Sequence, residues 1–333
     1  MPGKWTGEEL LELARAFQPA CVLMAAAELD LFAVLRGRRM TAEALAAEMS
    51  SDARGTGVLC DALAAMGLLE KYGGRYALAA GTEELLVSGG PGSVLAMLRH
   101  LANCQRRWAQ LARVVKDGSP ARCEPSVRGE REDLEAFIEA MHDVSRAMAP
   151  ALLGEIGPPE FTHLLDLGGG PGTWTIAFLR AAPAARATLL DLPDVIPIAR
   201  AHVEAAGLAD RVTFVAADMD DDTPLPVGAD LTWVSAVVHQ NSRQDNRRLF
   251  AKVRAALADG GRILIRDVVM DRLHTAPAAG ALFAVNMLVG TPGGGTYSFE
   301  ELAEDLQQAG FDRPRLLHAG KGMDSVVEAI RAD

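Results

Sequence analysis

The sequence predicts a two-domain α/β chain, with a smaller, mostly helical domain followed by a larger one built on a seven-stranded, largely parallel sheet. Three observations lead there. At about 100–200 residues per domain, a chain of 333 residues is long enough for two cores. Its N-terminal part carries helical periodicity that ends in a hairpin signal, while the part beyond residue 155 alternates short β-like runs with amphipathic stretches. Hydrophobic residues make up 49% of the chain and charged residues 23%, the balance of a protein with packed cores rather than a disordered one.

From Glu8 to Arg36 apolar residues recur at helical spacing, with Pro19 expected to break the run into two helices. Thr41 has the chemistry of an N-cap for TAEALAAEM, which places Ala44, Leu45 and Met49 on one stripe. A third helix fits Ala53 to Met66, and LLEKYGGRYAL reads as a hairpin turning on Gly73 and Gly74. Helix, turn, helix and hairpin in this order form a winged-helix pattern over residues 1–90. Such domains read DNA or pair subunits, and charge separates the two uses. The net charge is −11, and the helix that would enter the major groove carries Asp52 and Asp61 against Arg54 alone. A DNA reader needs positive charge facing each phosphate that it neutralises. No nucleic-acid partner is expected, and subunit pairing, most simply as a homodimer, is.

The apolar stretches are interrupted by Arg, Glu, Gly or Pro, short of the roughly 20 residues that cross a bilayer, and the opening MPGKWTGEELLELARAF lacks a continuous apolar core. The expectation is a cytoplasmic protein without a membrane partner. Cys21, Cys60, Cys104 and Cys123 are dispersed, so neither a disulfide framework nor a metal site is expected, and the thiols are read as buried or idle.

Residues 91–154 read as a helical linker that also covers a substrate. Its helices, Ser93–Asp117 and Glu132–Leu153, flank the loop GSPARCEPSVRGE. The second brings Met141 and His142 close to the next domain. Met141 suits either core packing or a cover over a substrate, and His142 either a hydrogen bond near the surface or a substrate contact.

Residues 155–333 hold THLLDL, ATLLDL, VTFVAAD, LTWVSAVV and RILIRDVV, with two further strands expected in RPRLLHAG and MDSVVEAI. This is a Rossmann-like arrangement. In DLGGGPGTW, Gly168, Gly170 and Gly172 allow a ligand to approach the backbone, and the helix that follows offers unpaired N–H groups. Asp191 closes the second strand, where it can accept both hydroxyls of a ribose, which suits a nicotinamide dinucleotide as well as S-adenosylmethionine. Asp218, at the end of VTFVAAD, can accept from an adenine amine while Met219 lies against the ring. Acids at three successive strand ends, Asp166, Asp191 and Asp218, suit a cofactor with an ammonium, a diol and an adenine but no phosphate, and this favours S-adenosylmethionine.

These residues, with VVHQNSRQDNRRLFAKVRAALADGGRILIRDVVMD and MLVGTPGGGTYSFEELAEDLQQAGF, resemble the plant-type, caffeate- and hydroxyneurosporene-like O-methyltransferases and their bacterial secondary-metabolite branch. The resemblance spans nearly the whole chain. It implies a winged-helix dimerisation domain, a seven-stranded methyltransferase domain, a homodimer and no metal. It places Gly168 and Gly170 at the methionine end of the cofactor, Asp191 at the ribose, Asp218 with Met219 at the adenine, and Ser235 at a position where plant members often present a lysine toward the adenine end. His239 corresponds to the catalytic histidine, followed here by Gln240 and Asn241 where the family has Asp-Trp. The first of two flanking acids corresponds to Asp267, and the second falls on Thr296.

A phenol of pKa about 10 is mostly protonated near neutrality, and a histidine of reference pKa about 6.5 can take its proton during attack. His239, just after the fourth strand, and Asp267, at the end of the fifth, share the ligand-facing edge of the sheet, so the expectation is a general base and a carboxylate that holds it. Asn286 and Met287, with Trp174 and Phe283, are candidates for the acceptor wall, and each also suits ordinary packing. Two other readings stay open: N- or C-methylation on the same platform, and a non-catalytic partner or regulator.

Overall fold

The computed structural model describes residues 4–90, 92–157 and 159–332. The chain forms two compact units, one ending at Arg106 and resuming over Cys123–Asp143, the other made of Arg107–Arg122 and the chain from Val144 onward. Residues 91–154 are thus shared between the two.

In the first unit, α1 (Gly7–Arg15) begins on Thr6, whose hydroxyl accepts from the Glu9 N–H while the Glu9 carboxylate takes the Thr6 N–H. Next come α2 (Phe17–Glu28), α3 (Leu31–Val34), α4 (Ala42–Met49), α5 (Ala53–Ala65) and the hairpin β1 (Leu69–Tyr72) and β2 (Arg75–Leu78). Gly73 and Gly74 turn the hairpin, both at positive φ. Pro19 does not break the helix as expected. The break falls at Ala16, and Pro19 lies in the first turn of α2, where a missing N–H costs no helical bond. Thr41 caps α4 as expected, accepting from Ala44 N–H. The core joins Leu31, Phe32, Leu45, Leu63 and Tyr76. Asp61 accepts from Lys71 at 2.5 Å and from the Tyr76 hydroxyl at 2.7 Å, so this acid ties α5 to the hairpin.

One sequence expectation changes here. The helical run Gly7–Glu28 is long and apolar enough to cross a membrane by length and composition, with a mean hydropathy of 1.4, although Glu8, Glu9, Glu12 and Arg15 interrupt it. No residue of α1 is buried. Of the four cysteines, none of them in a disulfide, Cys60 is buried, its thiol pushed up to about 11 chiefly by that burial, and Cys123 is exposed.

The chain continues through α6 (Glu83–Leu86), α7 (Leu95–Trp108), α8 (Leu111–Asp117) and α9 (Glu130–Ile156). Where one continuous helix was expected up to Asp117, a break after Trp108 separates α7 from α8. The sheet of the second unit follows: β3 (His163–Leu167), α10 (Thr173–Ala181), β4 (Arg186–Asp191), α11 (Ile196–Ala205), β5 (Val212–Ala216), β6 (Ala229–Ser235), α12 (Arg243–Ala256) and β7 (Leu257–Asp267). A short strand β8 (Val269–Met270), α13 (Ala278–Gly290), β9 (Tyr297–Ser298), α14 (Phe299–Gln308), β10 (Phe311–His318) and β11 (Ser325–Arg331) complete it. The seven strands lie in the order β10-β11-β7-β6-β3-β4-β5, and β11 runs antiparallel to both its neighbours.

Both faces of this sheet are covered, which is why its strands read as apolar runs rather than alternating ones. Leu165, Val234, Ile263 and Ile265 face a core with Leu249 and Phe250 of α12 and Leu302 and Leu306 of α14. Leu164, Trp233 and Leu264 face the other, with Leu152 of α9, Phe178 of α10 and Val203 of α11. The carboxyl ends of β3, β4, β6 and β7 therefore come out at one edge between two helical layers.

Candidate active site

The turn after β3 uses its glycines for different reasons. Gly168 has φ +64° and donates its N–H to the Leu190 carbonyl at 2.9 Å, and a Cβ there would come within 2.9 Å of the Met219 methyl. A Cβ on Gly169 would come within 2.5 Å of Leu189 Cγ, so this residue is glycine for packing. Gly170, at φ +53°, has nothing within 4 Å of where its Cβ would be, leaving open space on that side of the turn. Gly172, at φ +76°, starts α10.

Asp191, at the end of β4, is buried, and its two oxygens accept from Gly170 N–H and Leu192 N–H, each at 2.7 Å. Burial raises its pKa, and the two N–H donors work against that rise. Asp218 is exposed and accepts from Asp220 N–H at 2.9 Å, closing its own turn, while Met219 packs on the core below Gly168. Next to Asp218 a cavity of about 290 Å³ is lined by Leu190, Val215, Ala217, Pro224 and Leu225. The Pro224–Pro226 run was not singled out in the sequence, where its only signal is a rigid apolar segment after an acidic strand end. An open glycine turn, a carboxylate fixed by main-chain donors and an apolar slot beside a second acid fit an adenosyl ligand with an amino-acid tail.

β6 ends at Ser235, and Ala236, at φ +58°, swings the chain into a single 3-10 turn over Val238–Gln240. Asn246 of α12 ties that turn down by donating to the Val238 carbonyl at 2.9 Å. His239 is buried, with Nδ1 at 2.8 Å and 3.0 Å from the two oxygens of Asp267, and Oδ1 of Asp267 also accepts from Val268 N–H at 2.8 Å. A carboxylate only accepts, so Nδ1 carries the proton and Nε2 is the basic nitrogen. The Phe283 ring meets the imidazole edge-on at 4.8 Å.

Thr296, where the second acid was expected from the resemblance, is buried, and its hydroxyl has no hydrogen-bond partner. It follows a glycine run that touches the histidine's main chain: Gly295 N–H donates to the His239 carbonyl at 2.9 Å, and a Cβ on Gly294 would collide with that carbonyl. The GGG of TPGGGTY was the available signal for this approach.

The other expected residues are placed as follows. Asn286 accepts through Oδ1 from Trp108 Nε1 at 2.8 Å, and Met287 is buried in α13. Trp174 packs against Trp233, with ring centroids 4.8 Å apart and the rings tilted at 44°. Ser235 accepts from Arg266 Nε at 2.7 Å, a buried cation that the sequence reading passed over although it is a charge inside an apolar strand. Met141 and His142 lie on α9, within the part of that helix that belongs to the first unit.

Comparison with known proteins adds a second line of argument. A family profile described as an O-methyltransferase domain matches residues 93–312, and one described as an O-methyltransferase dimerisation domain matches residues 11–88. The chain is 31% identical to the 3-hydroxy-5-methyl-1-naphthoate 3-O-methyltransferase of Streptomyces sahachiroi, over 97% of this chain and 95% of that protein. It is 31% identical to the tetracenomycin polyketide synthesis 8-O-methyl transferase TcmO of Streptomyces glaucescens, over 91% of each. Among solved structures, PigF with SAH aligns at 25% identity and a TM-score of 0.84, over 98% of this chain and all (100%) of that one.

Proposed function

The chain belongs to the O-methyltransferase family, and we propose that it uses S-adenosylmethionine, whose demethylated product SAH is bound in the similar PigF structure, to methylate a hydroxyl of an aromatic or polyketide-like metabolite with His239 as general base. The bacterial secondary-metabolite branch is the proposed home, supported by the two Streptomyces relatives. Gly168 and Gly170 are assigned to the methionine end of the cofactor, Asp191 to the ribose, and Asp218 with Met219 to the adenine.

When bound, S-adenosylmethionine supplies a methyl group made electrophilic by its sulfonium. The chain's own part is to bind, align and deprotonate. As the acceptor hydroxyl is methylated, His239 Nε2 would take its proton. Asp267 keeps Nδ1 protonated beforehand and stabilises the imidazolium afterwards. The observation that carries this reading is the buried His239–Asp267 pair at 2.8 Å, at the strand edge that also holds the glycine turn. Phe283, against the imidazole, narrows the acceptor's approach.

Subunit pairing is proposed for the first unit. It is supported by the dimerisation match over residues 11–88 and by the exposure of Trp5, Leu10, Leu11, Leu13 and Phe17 along and beside α1, apolar surface that a second subunit would cover.

His239→Ala tests the base. With donor and acceptor saturating, the single-turnover rate is expected to fall by about 10²–10⁴-fold with S-adenosylhomocysteine affinity unchanged, and to fall less for more acidic acceptor analogues. An unchanged rate would remove His239 from the role and leave proximity and desolvation as the source of rate.

A further inference from the structure

Arg266 is the penultimate residue of β7 and is only 6% exposed. Its guanidinium has neutral partners. Nε donates to Ser235 Oγ at 2.7 Å, and Nη1 donates to the Met323 carbonyl at 2.6 Å and lies 3.5 Å from Met148 Sδ. Its central carbon stands 5.0 Å from the Trp174 ring centroid. Arg266 makes no ion pair with any described residue, and Asp267 and Asp324 act on it only as more distant charges. Burial accordingly lowers its pKa. Arginine does not shed its proton in a protein, so a buried guanidinium without a counter-ion stays a costly positive charge until an anion arrives.

The topology fixes where that charge sits. Side chains alternate along β7, so Arg266 lies on the Leu264 side of the sheet and Asp267 on the Ile265 side with His239. Ser235 pairs with Arg266 across β6 and β7, and it is one residue past the Val234–Leu167 pair, level with Gly168 at the start of the glycine turn. Trp174 is in the first turn of the helix that follows those glycines. The cation therefore stands level with the glycine turn, on the face of the sheet opposite the slot beside Asp218. The adenosyl cofactor carries positive charge on its sulfonium and ammonium, and its one anionic group is the carboxylate.

We propose that Arg266 binds the carboxylate of the cofactor's amino-acid tail, and that Ser235 acts by orienting the guanidinium rather than by touching the adenine. The proposal rests on the cofactor assignment and locates one end of that ligand. Nε and Nη1 are already anchored to Ser235 and Met323, so the side chain is held in place before the ligand enters, which reduces the ordering cost of binding.

Calorimetry with S-adenosylhomocysteine and its decarboxylated analogue, which keeps the adenosine, the thioether and the ammonium, tests it without turnover. Wild-type protein is expected to prefer S-adenosylhomocysteine by about ten- to hundredfold, the size of a charge-assisted pair. Arg266→Gln is expected to erase that preference by weakening S-adenosylhomocysteine alone, and Arg266→Lys to keep part of it. Equal weakening of both ligands in Arg266→Gln would make the residue structural and overturn the proposal, as would an effect confined to acceptor KM. Should Arg266→Gln fail to fold, the absence of a preference in the wild type or in Arg266→Lys would overturn it equally. Failure of the wild type to bind either ligand would instead remove the cofactor assignment beneath it.

Discussion

The two halves of the sheet edge are held by different kinds of bond. On the side proposed to hold the cofactor the framework is main chain: Gly168 donates to the Leu190 carbonyl, and Gly170 and Leu192 donate to Asp191. On the side proposed to receive the acceptor the framework is side chain: His239 is fixed by Asp267, faced by Phe283 of α13, and supported below by Asn246 of α12. A site fixed by backbone geometry constrains its residues to glycine and to a carboxylate at a strand end. A site fixed by side chains from separate helices constrains mainly volume and polarity, and leaves room for different acceptors.

Breaking the side-chain half is expected to have the larger kinetic effect. Asp267→Asn removes the charge proposed to stabilise the imidazolium and presents Nδ1 with an amide that can donate as well as accept, so the tautomer is no longer fixed. Single-turnover rate is expected to fall by up to about a hundredfold, less than in His239→Ala, with S-adenosylhomocysteine affinity kept. A loss of affinity as large as the loss of rate would mean that the carboxylate holds the whole edge together, and would dissolve the distinction between the halves.

The main-chain half should respond in binding instead. Asp191→Ala is expected to weaken S-adenosylhomocysteine by about tenfold or more, as lost hydrogen bonds to a charged acceptor would, while the variant's rate at saturating donor changes less. Gly170→Val should weaken binding similarly, because the open space beside Gly170 is where its side chain would go. Preferential binding of NAD by the wild type would sink the cofactor assignment.

The same contrast explains what the sequence disclosed. The positions of the glycine turn, of Asp191 and Asp267 at strand ends, and of His239 in the turn just after a strand were legible because strand–turn–helix order fixes where a strand end must face. The hairpin was legible from Gly73 and Gly74, and the cap of α4 from Thr41. What failed to show depends on long-range packing. Phe283 was legible only as one candidate for the acceptor wall; its contact with His239, 44 positions away, counting 283 − 239, is one that no local pattern discloses. Arg266 is invisible in another way. Strand alternation puts Arg266 and Asp267 on opposite faces, but only the packed fold shows that both faces are covered and that the guanidinium is buried. Pro19 misled because a proline breaks a helix only beyond the first turn.

The smallest expected effect compares two neighbouring carboxylates. Asp191 accepts two N–H groups, whereas Asp166, on the adjacent strand, is fully buried and accepts from the Thr175 hydroxyl at 2.5 Å. Burial pushes the Asp166 carboxyl up to about 7, with the hydroxyl of Thr175 opposing the rise and the charge of Asp191 adding to it. Its folded pKa lies above its unfolded value of about 3.9, so the folded state holds the proton more tightly. The stabilisation this confers is complete below about pH 4 and is lost as pH rises through about 7. Asp166→Asn keeps an oxygen for the Thr175 hydroxyl and has no charge to bury. Its melting temperature relative to wild type is therefore expected to rise by a few degrees between pH 5 and pH 8. Thermal unfolding at the two pH values, with cofactor absent, measures this. A difference that stays constant across that range would mean that Asp166 is ionised throughout, and that one hydroxyl does for Asp166 what two main-chain donors do for Asp191.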